Sequence, residues 1–255
     1  NFRGKETLVV GDIMLDSHIY GTVDKISPEA PVPLLMRQKQ TYNLGVAGNL
    51  ASNLSALKSK VYLVGMIGSD SDGEILLDEM KNQGMDSSGI IKTNFRTTKK
   101  LRFISTQQML RVDFEDKLKI TQEQEKIIGH LIEERISSVD AILVADYAKG
   151  MLTKELIKNI IQAARGRNKL ITAECKPGNY EFYNGVTLFK PNAKEAFEMT
   201  REQDLEKAGL TLEKKLDSNI IITCGADGFF VIEKGKSCYR ISAKTREIYD
   251  IAGAG

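Results

Sequence analysis

The chain has 255 residues, 42% of them hydrophobic, with 36 basic and 34 acidic side chains and a net charge of +2. This size predicts a globular protein with one large core. The balanced charge argues against a nucleic acid or an anionic membrane as partner, so we expect a small molecule instead. We expect neither a membrane-spanning helix nor a signal peptide, and three scattered cysteines fit a reducing cytoplasm.

Apolar runs that are typical of buried strands alternate with helical patterns along the chain. Strands are predicted at residues 7–15, 61–67, 141–145, 170–173 and 220–223, and helices at 46–57, 73–83, 121–137, from 153 onward, and within 193–216. Such alternation predicts an α/β fold, a three-layer α/β/α sandwich around a mostly parallel sheet. Ligands of such sheets bind outside the carboxyl ends of the strands.

Local signals predict where individual helices begin and end. Asp72 is predicted to cap the helix that Gly84 ends, and Thr121 with Gln124 resembles a capping box. The first helix is predicted to bury one stripe, formed by Val46, Leu50, Leu54 and Leu57.

Two segments, at about residues 17–43 and 90–114, break the alternation. The first contains three closely spaced prolines, which exclude helix, and the second contains two short strands at 100–105 and 108–113. Together they predict a small β-sheet that lies as a lid over the carboxyl edge of the main sheet and excludes water. An ordinary surface hairpin is the alternative. Because exposed edge strands invite pairing, we expect a homodimer through the lid.

The segment from Asp250 to Gly255 reads as a strand end that enters a tight glycine turn. Unpaired backbone N–H groups at the start of a helix attract negative charge, so Gly253, Ala254 and Gly255 are candidates for an anion hole in phosphoryl transfer. A plain strand-to-helix connection is the alternative reading of these residues.

Asp12 and Asp16 interrupt the first predicted strand. Carboxylates that leave a buried strand require hydrogen-bond donors, and sugar hydroxyls are suitable ones. The alternative is that each carboxylate caps a neighbouring loop.

Taken in order, these motifs resemble the ribokinase-like (PfkB) family of carbohydrate kinases over essentially the whole chain. The strings Ile-Ser-Pro-Glu-Ala-Pro-Val-Pro at 26–33 and Asp-Tyr-Ala-Lys-Gly at 146–150 resemble the branch that phosphorylates heptose 7-phosphate for lipopolysaccharide synthesis. The glycine turn at 253–255 is similar to that of the whole family. The resemblance implies ATP and Mg²⁺ as cofactors and a sugar phosphate as substrate.

The resemblance also implies roles for individual residues. Positions that match the family's sugar site are Asp12, Asp16, Gly45, Asn49 and Asp146. Cationic candidates for the phosphate that the substrate already carries are Arg102, Arg111, Lys149 and Lys176, with a solvated surface charge as the alternative for each. Nucleotide-side matches are Asn192, Glu195, Thr223, Gly225 and Gly228, with Glu195 holding Mg²⁺ through water.

In this family the aspartate that accepts the hydroxyl proton directly follows the glycine turn. We therefore expect residues 1–255 to be a single kinase domain that continues beyond Gly255. Three residues, Val46, Glu174 and Lys190, depart from the family's pattern. A kinase for another sugar or sugar phosphate and a non-catalytic sugar-phosphate sensor stay open as alternatives, and the residue after Gly255 discriminates the sensor.

Overall fold

The computed structural model describes residues 2–116 and 119–243. The predicted anion hole at Gly253, Ala254 and Gly255 lies outside the described residues. The strands are β1 (Glu6–Gly11), β2 (Ile13–Ile26), β3 (Pro33–Val46), β4 (Lys60–Gly68), β5 (Ile90–Thr93), β6 (Lys99–Ile104), β7 (Gln108–Phe114), β8 (Ala141–Asp146), β9 (Leu170–Cys175), β10 (Leu188–Phe189), β11 (Asn219–Thr223), β12 (Phe229–Ile232) and β13 (Tyr239–Ile241). The helices are α1 (Ala47–Ala56), α2 (Ser71–Asn82), α3 (Gln122–Ile136), α4 (Lys154–Gly166), α5 (Ala193–Thr200) and α6 (Leu205–Leu216).

The main sheet has nine strands in the order β13-β12-β11-β10-β9-β8-β1-β4-β5. The strands from β11 to β5 in this order run parallel to one another. Strand β12 is antiparallel to β11, and β13 is antiparallel to β12. Alternate residues of the central strand β1 point to opposite faces: Leu8 and Val10 join a core cluster with α3 to α6, and Val9 joins another with α1 and α2. The predicted three-layer α/β/α fold is confirmed.

A second sheet of four strands, in the order β3-β2-β6-β7, forms the predicted lid. The prediction of one strand from Thr7 to Leu15 was wrong, because the chain leaves the main sheet at Asp12 and enters the lid at Ile13. The Asp12 amide donates to the Ala145 carbonyl and the Asp12 carbonyl accepts from the Ala47 amide, both at 3.1 Å. Asp12 is therefore the junction between the two sheets.

The lid is shorter than predicted at its second segment. Ile90–Thr93 pairs in parallel with β4 at the edge of the main sheet. The second segment therefore enters the lid only at Lys99. The residues between β2 and β3, which carry Pro28 and Pro31, form bends without regular structure, as expected for prolines.

Helix boundaries follow the predicted caps in part. Thr121 and Gln124 form a reciprocal capping box on α3, and Gly84 follows α2 with a left-handed φ of 66°. The cap of α2 was predicted wrongly: Asp70 accepts from the Gly73 amide at 2.8 Å, and Asp72 forms an ion pair with Lys99.

The buried stripe of α1 also differs from the prediction. Ala47, Ala51 and Leu54 are buried, and Leu57 is 53% exposed. Alanine side chains are small, so they let the helix backbone pack close to the sheet. Among the described residues, no helix is long and apolar enough to cross a membrane.

Candidate active site

A cavity of about 450 Å³ lies between the lid sheet, α1 and the carboxyl ends of the main strands. Alternate residues of one lid strand face it, because side chains in a strand alternate between its two faces. From β2 these are Met14, Asp16, His18 and Tyr20. From β6 they are Lys100 and Arg102, and α1 contributes Asn49 and Asn53. This cavity, which we call the lid cavity, combines hydrogen-bonding groups with cations.

Asp16 and Arg102 form the central ion pair of the lid cavity. Both side chains are mostly buried, so the guanidinium fixes the direction of the carboxylate. Lys100 is paired directly across the strands from Asp16. Burial lowers the pKa of Lys100, and an arriving anion would favour its charged form. The cavity is therefore suited to an acceptor that carries both hydroxyl groups and a phosphate.

Gly45 and Asn49 lie beside this ion pair. Gly45 pairs with Met14 across β2 and β3, and a Cβ on it would be 2.8 Å from Asp16 Oδ2 and 2.5 Å from Met14 Cγ. The missing side chain thus leaves room for the Asp16 carboxylate. Asn49 is in the first turn of α1 and lines the lid cavity.

Asp12 is placed elsewhere and does not line the lid cavity. It is buried, and its Oδ2 accepts from the amides of Tyr147 (2.8 Å) and Lys149 (3.2 Å). Burial, together with the nearby charge of Asp146, raises the pKa of Asp12 to about 6. Oδ2 therefore caps the loop that carries Tyr147 and Lys149, whereas Oδ1 is buried without a hydrogen-bond partner among the described residues, and the role of Asp12 in sugar binding stays a prediction.

Other predicted sugar-site or phosphate-site residues, among them Asp146, Lys149 and Arg111, also lie outside the lid cavity. Asp146 is buried and accepts from the Ala148 amide, Asn179 Nδ2 and the Tyr183 hydroxyl at 2.8 to 2.9 Å. Lys149 is paired with Glu115. Arg111 is opposite Arg102 on the edge strand β7 and is paired with Asp113. Their hydrogen bonds shape the loop and the lid strand that flank the cavity.

A smaller cavity of about 140 Å³ adjoins the lid cavity. Tyr147, Glu174 and Lys190 line both, so we call the smaller one the connecting cavity. Lys190 is 2.9 Å from Glu174, and Lys176 is 2.8 Å from Glu195, which also lines this space. The Lys176 ammonium lies 4.5 Å from the centre of the Tyr147 ring. Two lysines therefore face the space between the lid cavity and the far side of the site.

A third cavity, of about 520 Å³, begins where the connecting cavity ends. Asn192 and Thr223 line both, and Gly225 lines the third cavity together with Phe197 and Leu205. We call this open, partly apolar space the outer cavity. It has room for the aromatic base of a nucleotide. Gly228 lies behind its wall with a φ of 88°, and a Cβ on it would be 2.1 Å from the Ile241 carbonyl oxygen.

Asn192 and Glu195 form a reciprocal capping box at the start of α5. The Asn192 side chain accepts from the Glu195 amide at 2.9 Å, and Glu195 Oε2 accepts from the Asn192 amide at 3.0 Å. No cluster of three or more metal-ligating side chains occurs among the described residues. The single carboxylate of Glu195 fits a Mg²⁺ ion that is bound mainly through nucleotide phosphates and water.

Sequence reasoning missed several cavity residues, among them Asn43, Lys100 and Tyr147. Lys100 could have been found, because it is two residues before Arg102 on the same predicted strand and shares its face. Asn43 was hidden by the unknown register of β3, which pairs it with Asp16. Tyr147 depends on a long-range contact that no local pattern signals.

Almost the entire chain matches one protein family. Residues 5–255 match the pfkB family of carbohydrate kinases. The chain belongs to this family. The bifunctional protein HldE of Wolinella succinogenes is 40% identical over 256 residues, which cover 97% of this chain and 54% of that protein. The chain spans about half the length of the curated relatives it matches.

Solved structures confirm the ribokinase-like fold. Phosphofructokinase-2 from Escherichia coli, in complex with fructose 6-phosphate, has a TM-score of 0.75 at 16% identity and covers 99% of this chain and 84% of its own. Arabidopsis thaliana ribokinase, complexed with ribose and ATP, has a TM-score of 0.73 at 13% identity, with 98% and 82% covered.

Proposed function

We propose that the protein transfers the γ-phosphoryl group of ATP to a hydroxyl of a sugar phosphate, namely D-glycero-D-manno-heptose 7-phosphate. The product is the 1,7-bisphosphate, which serves the synthesis of lipopolysaccharide core heptose. The observation that carries the proposal is the row of three adjoining cavities at the carboxyl edge of the sheet. The strings at 26–33 and 146–150, which resemble the heptose 7-phosphate branch of the family, support the heptose phosphate over other acceptors.

The lid cavity is the proposed acceptor site. Asp16 accepts a hydrogen bond from a sugar hydroxyl, and Arg102 holds the carboxylate in position. Lys100 and Arg102 provide the positive charge that a sugar phosphate requires and a free sugar does not. Asn49 adds a donor from α1. Arg111 and Lys149, which we predicted as phosphate ligands, would have to leave their present ion pairs to join this site.

The outer cavity is the proposed ATP site. Phe197 and Leu205 offer apolar surface to the adenine, and Asn192, Thr223 and Gly225 line the side toward the phosphates. Fold neighbours that bind ATP and a sugar phosphate support this division, because the fold is shared. Mg²⁺, held beside the phosphates with Glu195 through water, would neutralise the charge on the transferred group.

Transfer then takes place across the connecting cavity. The acceptor oxygen bonds to the γ-phosphorus, the bond from that phosphorus to the bridging oxygen breaks, and ADP leaves with the electron pair. Lys176 and Lys190 lie where the phosphoryl group crosses, and they would exchange their ion pairs with Glu195 and Glu174 for its negative charge. We propose that the Gly253–Gly255 turn donates further hydrogen bonds and that an aspartate after it accepts the hydroxyl proton.

We further propose a cytoplasmic homodimer, in keeping with the use of ATP. The edge strands of the lid carry exposed apolar residues, with Met36 57% and Leu110 55% exposed. Because β3 and β7 are opposite edges of the lid, we assign the contact to one of them: a second lid that pairs with β7 would cover Leu110 and the free edge of that strand.

The test is ADP release by the full-length protein with Mg²⁺ and ATP. Heptose 7-phosphate, fructose 6-phosphate and the unphosphorylated sugars are offered in turn. We expect the highest kcat/KM with heptose 7-phosphate. Faster turnover of another sugar would keep the kinase and replace the substrate. Binding of a sugar phosphate without any turnover would favour the sensor.

A further inference from the structure

Val46 has a backbone conformation that its side chain disfavours. Its φ is 52° and its ψ is −117°, a region that glycine enters freely and that β-branched residues almost never adopt. Several other non-glycine residues have a positive φ in the part of the chain that the structure describes, namely Lys58, Ala148, Asn168, Arg201 and Asp217. None of these is β-branched, which makes the backbone of Val46 the most strained in this group.

The surrounding strands and α1 fix this conformation. Val46 is the last residue of β3, where it pairs with Ile13, and it is also the N-cap of α1 without any side-chain cap bond. The next amide, that of Ala47, donates to the Asp12 carbonyl at 3.1 Å. The chain must therefore turn at this residue whichever side chain it carries. Strain of this kind persists where neighbouring contacts impose it, and it is concentrated at ligand sites.

The neighbouring glycines show what the position would tolerate. A Cβ on Gly45 would be 2.5 Å from Met14 Cγ, and one on Gly48 would be 2.9 Å from Leu44 Cβ. At these two positions the available space requires glycine. At position 46 the backbone favours glycine and the chain nevertheless carries valine. Neither helix capping nor the strand pairing requires an isopropyl group there, and part of the side chain packs against the core cluster that contains α1 and α2.

The isopropyl group has a location that gives it a use. Val46 is half-buried and lines the lid cavity together with Asp16 and Asn49. We infer that Val46 is a specificity-determining residue, whose side chain narrows the lid cavity and excludes acceptors that are bulkier beside the Asp16 carboxylate. The inference rests on the proposed function, because it assumes that the lid cavity holds the sugar phosphate. Selectivity is then obtained at the cost of backbone strain.

The experiment compares Val46→Gly, Val46→Ala and wild type in the full-length protein. Leu57→Ala is the matched control, since Leu57 directly follows the same helix and is exposed. The kcat/KM is measured for heptose 7-phosphate and for a panel of smaller and bulkier sugar phosphates. Because a few methyl groups in a pocket discriminate by about 10-fold or more, we expect Val46→Gly to lower the discrimination against bulkier acceptors by about tenfold. Val46→Ala should lie between the two, and Leu57→Ala should match wild type.

Thermal unfolding of the same variants provides a second readout. We expect Val46→Gly to be at least as stable as wild type, because glycine adopts this conformation without strain. A discrimination that stays within twofold of wild type in an active Val46→Gly protein would overturn the inference. So would a large loss of stability with unchanged selectivity, since valine would then serve packing alone. If wild type neither turns over nor binds any sugar phosphate, the proposed function itself fails.

Discussion

The Asp12 carboxylate connects the sheet junction to the loop that carries Tyr147. It is buried and accepts hydrogen bonds from two backbone amides of that loop. Asp16, four residues later, lines the lid cavity instead. The same residue type therefore stabilises the wall of the site at one position and faces the site at the other. The difference arises because the chain changes sheets between them.

This burial predicts a specific pH dependence of stability. The folded-state pKa of Asp12 is raised to about 6, so the folded protein binds this proton more tightly than the unfolded chain. The resulting stability is present below the unfolded pKa of about 4 and is lost as the pH rises through about 6. A shift of two pKa units corresponds to roughly 3 kcal/mol at most.

Asp12→Asn removes the titration and keeps an oxygen that can accept both amides. We expect the free energy of unfolding of wild type to fall between pH 4 and pH 7 relative to that of the variant. Urea denaturation at several pH values measures this difference. Parallel stability profiles for the two proteins would show that Asp12 ionises normally in the folded state.

At the scale of elements, local signals predicted what local contacts determine. The capping box of α3 requires only Thr121 and Gln124, and both were recognised in the sequence. Asp72 was chosen wrongly as a cap because Asp70 is favoured by a distant partner: it also accepts from the amide and hydroxyl of Thr97 at 2.8 and 2.7 Å. The residue that caps α2 is thus selected by tertiary structure.

The residues of the candidate site also depend on tertiary contacts that the sequence does not show. Asp16, Asn49 and Arg102 were predicted and meet in the lid cavity. Asp12 and Asp146 were predicted beside them. Both oxygens of Asp146 and Oδ2 of Asp12 accept hydrogen bonds from protein donors, whereas Oδ1 of Asp12 is buried without a hydrogen-bond partner among the described residues. A sequence shows which carboxylates lie near strand ends. It does not show which of them will be satisfied by the protein, because that depends on the register and on loops far along the chain.

The close approach of β2 and β3 makes Gly45 sensitive to substitution. Gly45→Ala places a methyl group 2.8 Å from Asp16 Oδ2 and 2.5 Å from Met14 Cγ. Because overpacking of this kind typically costs about 1–3 kcal/mol, we expect lower stability and a displaced Asp16 carboxylate. Binding of the sugar phosphate, measured by calorimetry, should weaken about tenfold or more, the equivalent of about 1.4 kcal/mol.

Gly129→Ala is the matched control for this substitution. A Cβ on Gly129, inside α3, meets no atom within 4 Å, so alanine should stabilise the helix by about 0.5–1 kcal/mol. Sugar-phosphate binding should not change in this variant. Unaltered binding in Gly45→Ala would mean that the Asp16 carboxylate does not contact the acceptor.

For the whole molecule, the two sheets meet at the site. The chain enters the lid at Asp12, leaves it through Val46, and enters it again for β6 and β7; Val46 and the β6 residues Lys100 and Arg102 line the lid cavity. A change in the position of the lid would therefore alter the cavity directly. Such coupling suits an enzyme that must exclude water while a phosphoryl group is transferred.

The proposed dimer is tested by a charged substitution on the lid surface. Leu110→Glu places a charge on the exposed apolar face of the lid, and Leu57→Glu places one on a comparably exposed leucine after α1. Sedimentation should show a dimer for wild type and for Leu57→Glu, and a monomer for Leu110→Glu. A wild-type monomer, or a dimer that Leu110→Glu leaves intact, would show that the lid surface is not the interface.

The most direct test of the account is a crystal structure of the full-length protein with heptose 7-phosphate and a non-hydrolysable ATP analogue. The account predicts the sugar phosphate in the lid cavity, with a hydroxyl within hydrogen-bond distance of Asp16 and its phosphate near Lys100 and Arg102. The γ-phosphate should lie in the connecting cavity beside Lys176 and Lys190, with the adenine in the outer cavity near Phe197. A sugar phosphate bound outside the lid cavity, or a nucleotide outside the outer cavity, would contradict it.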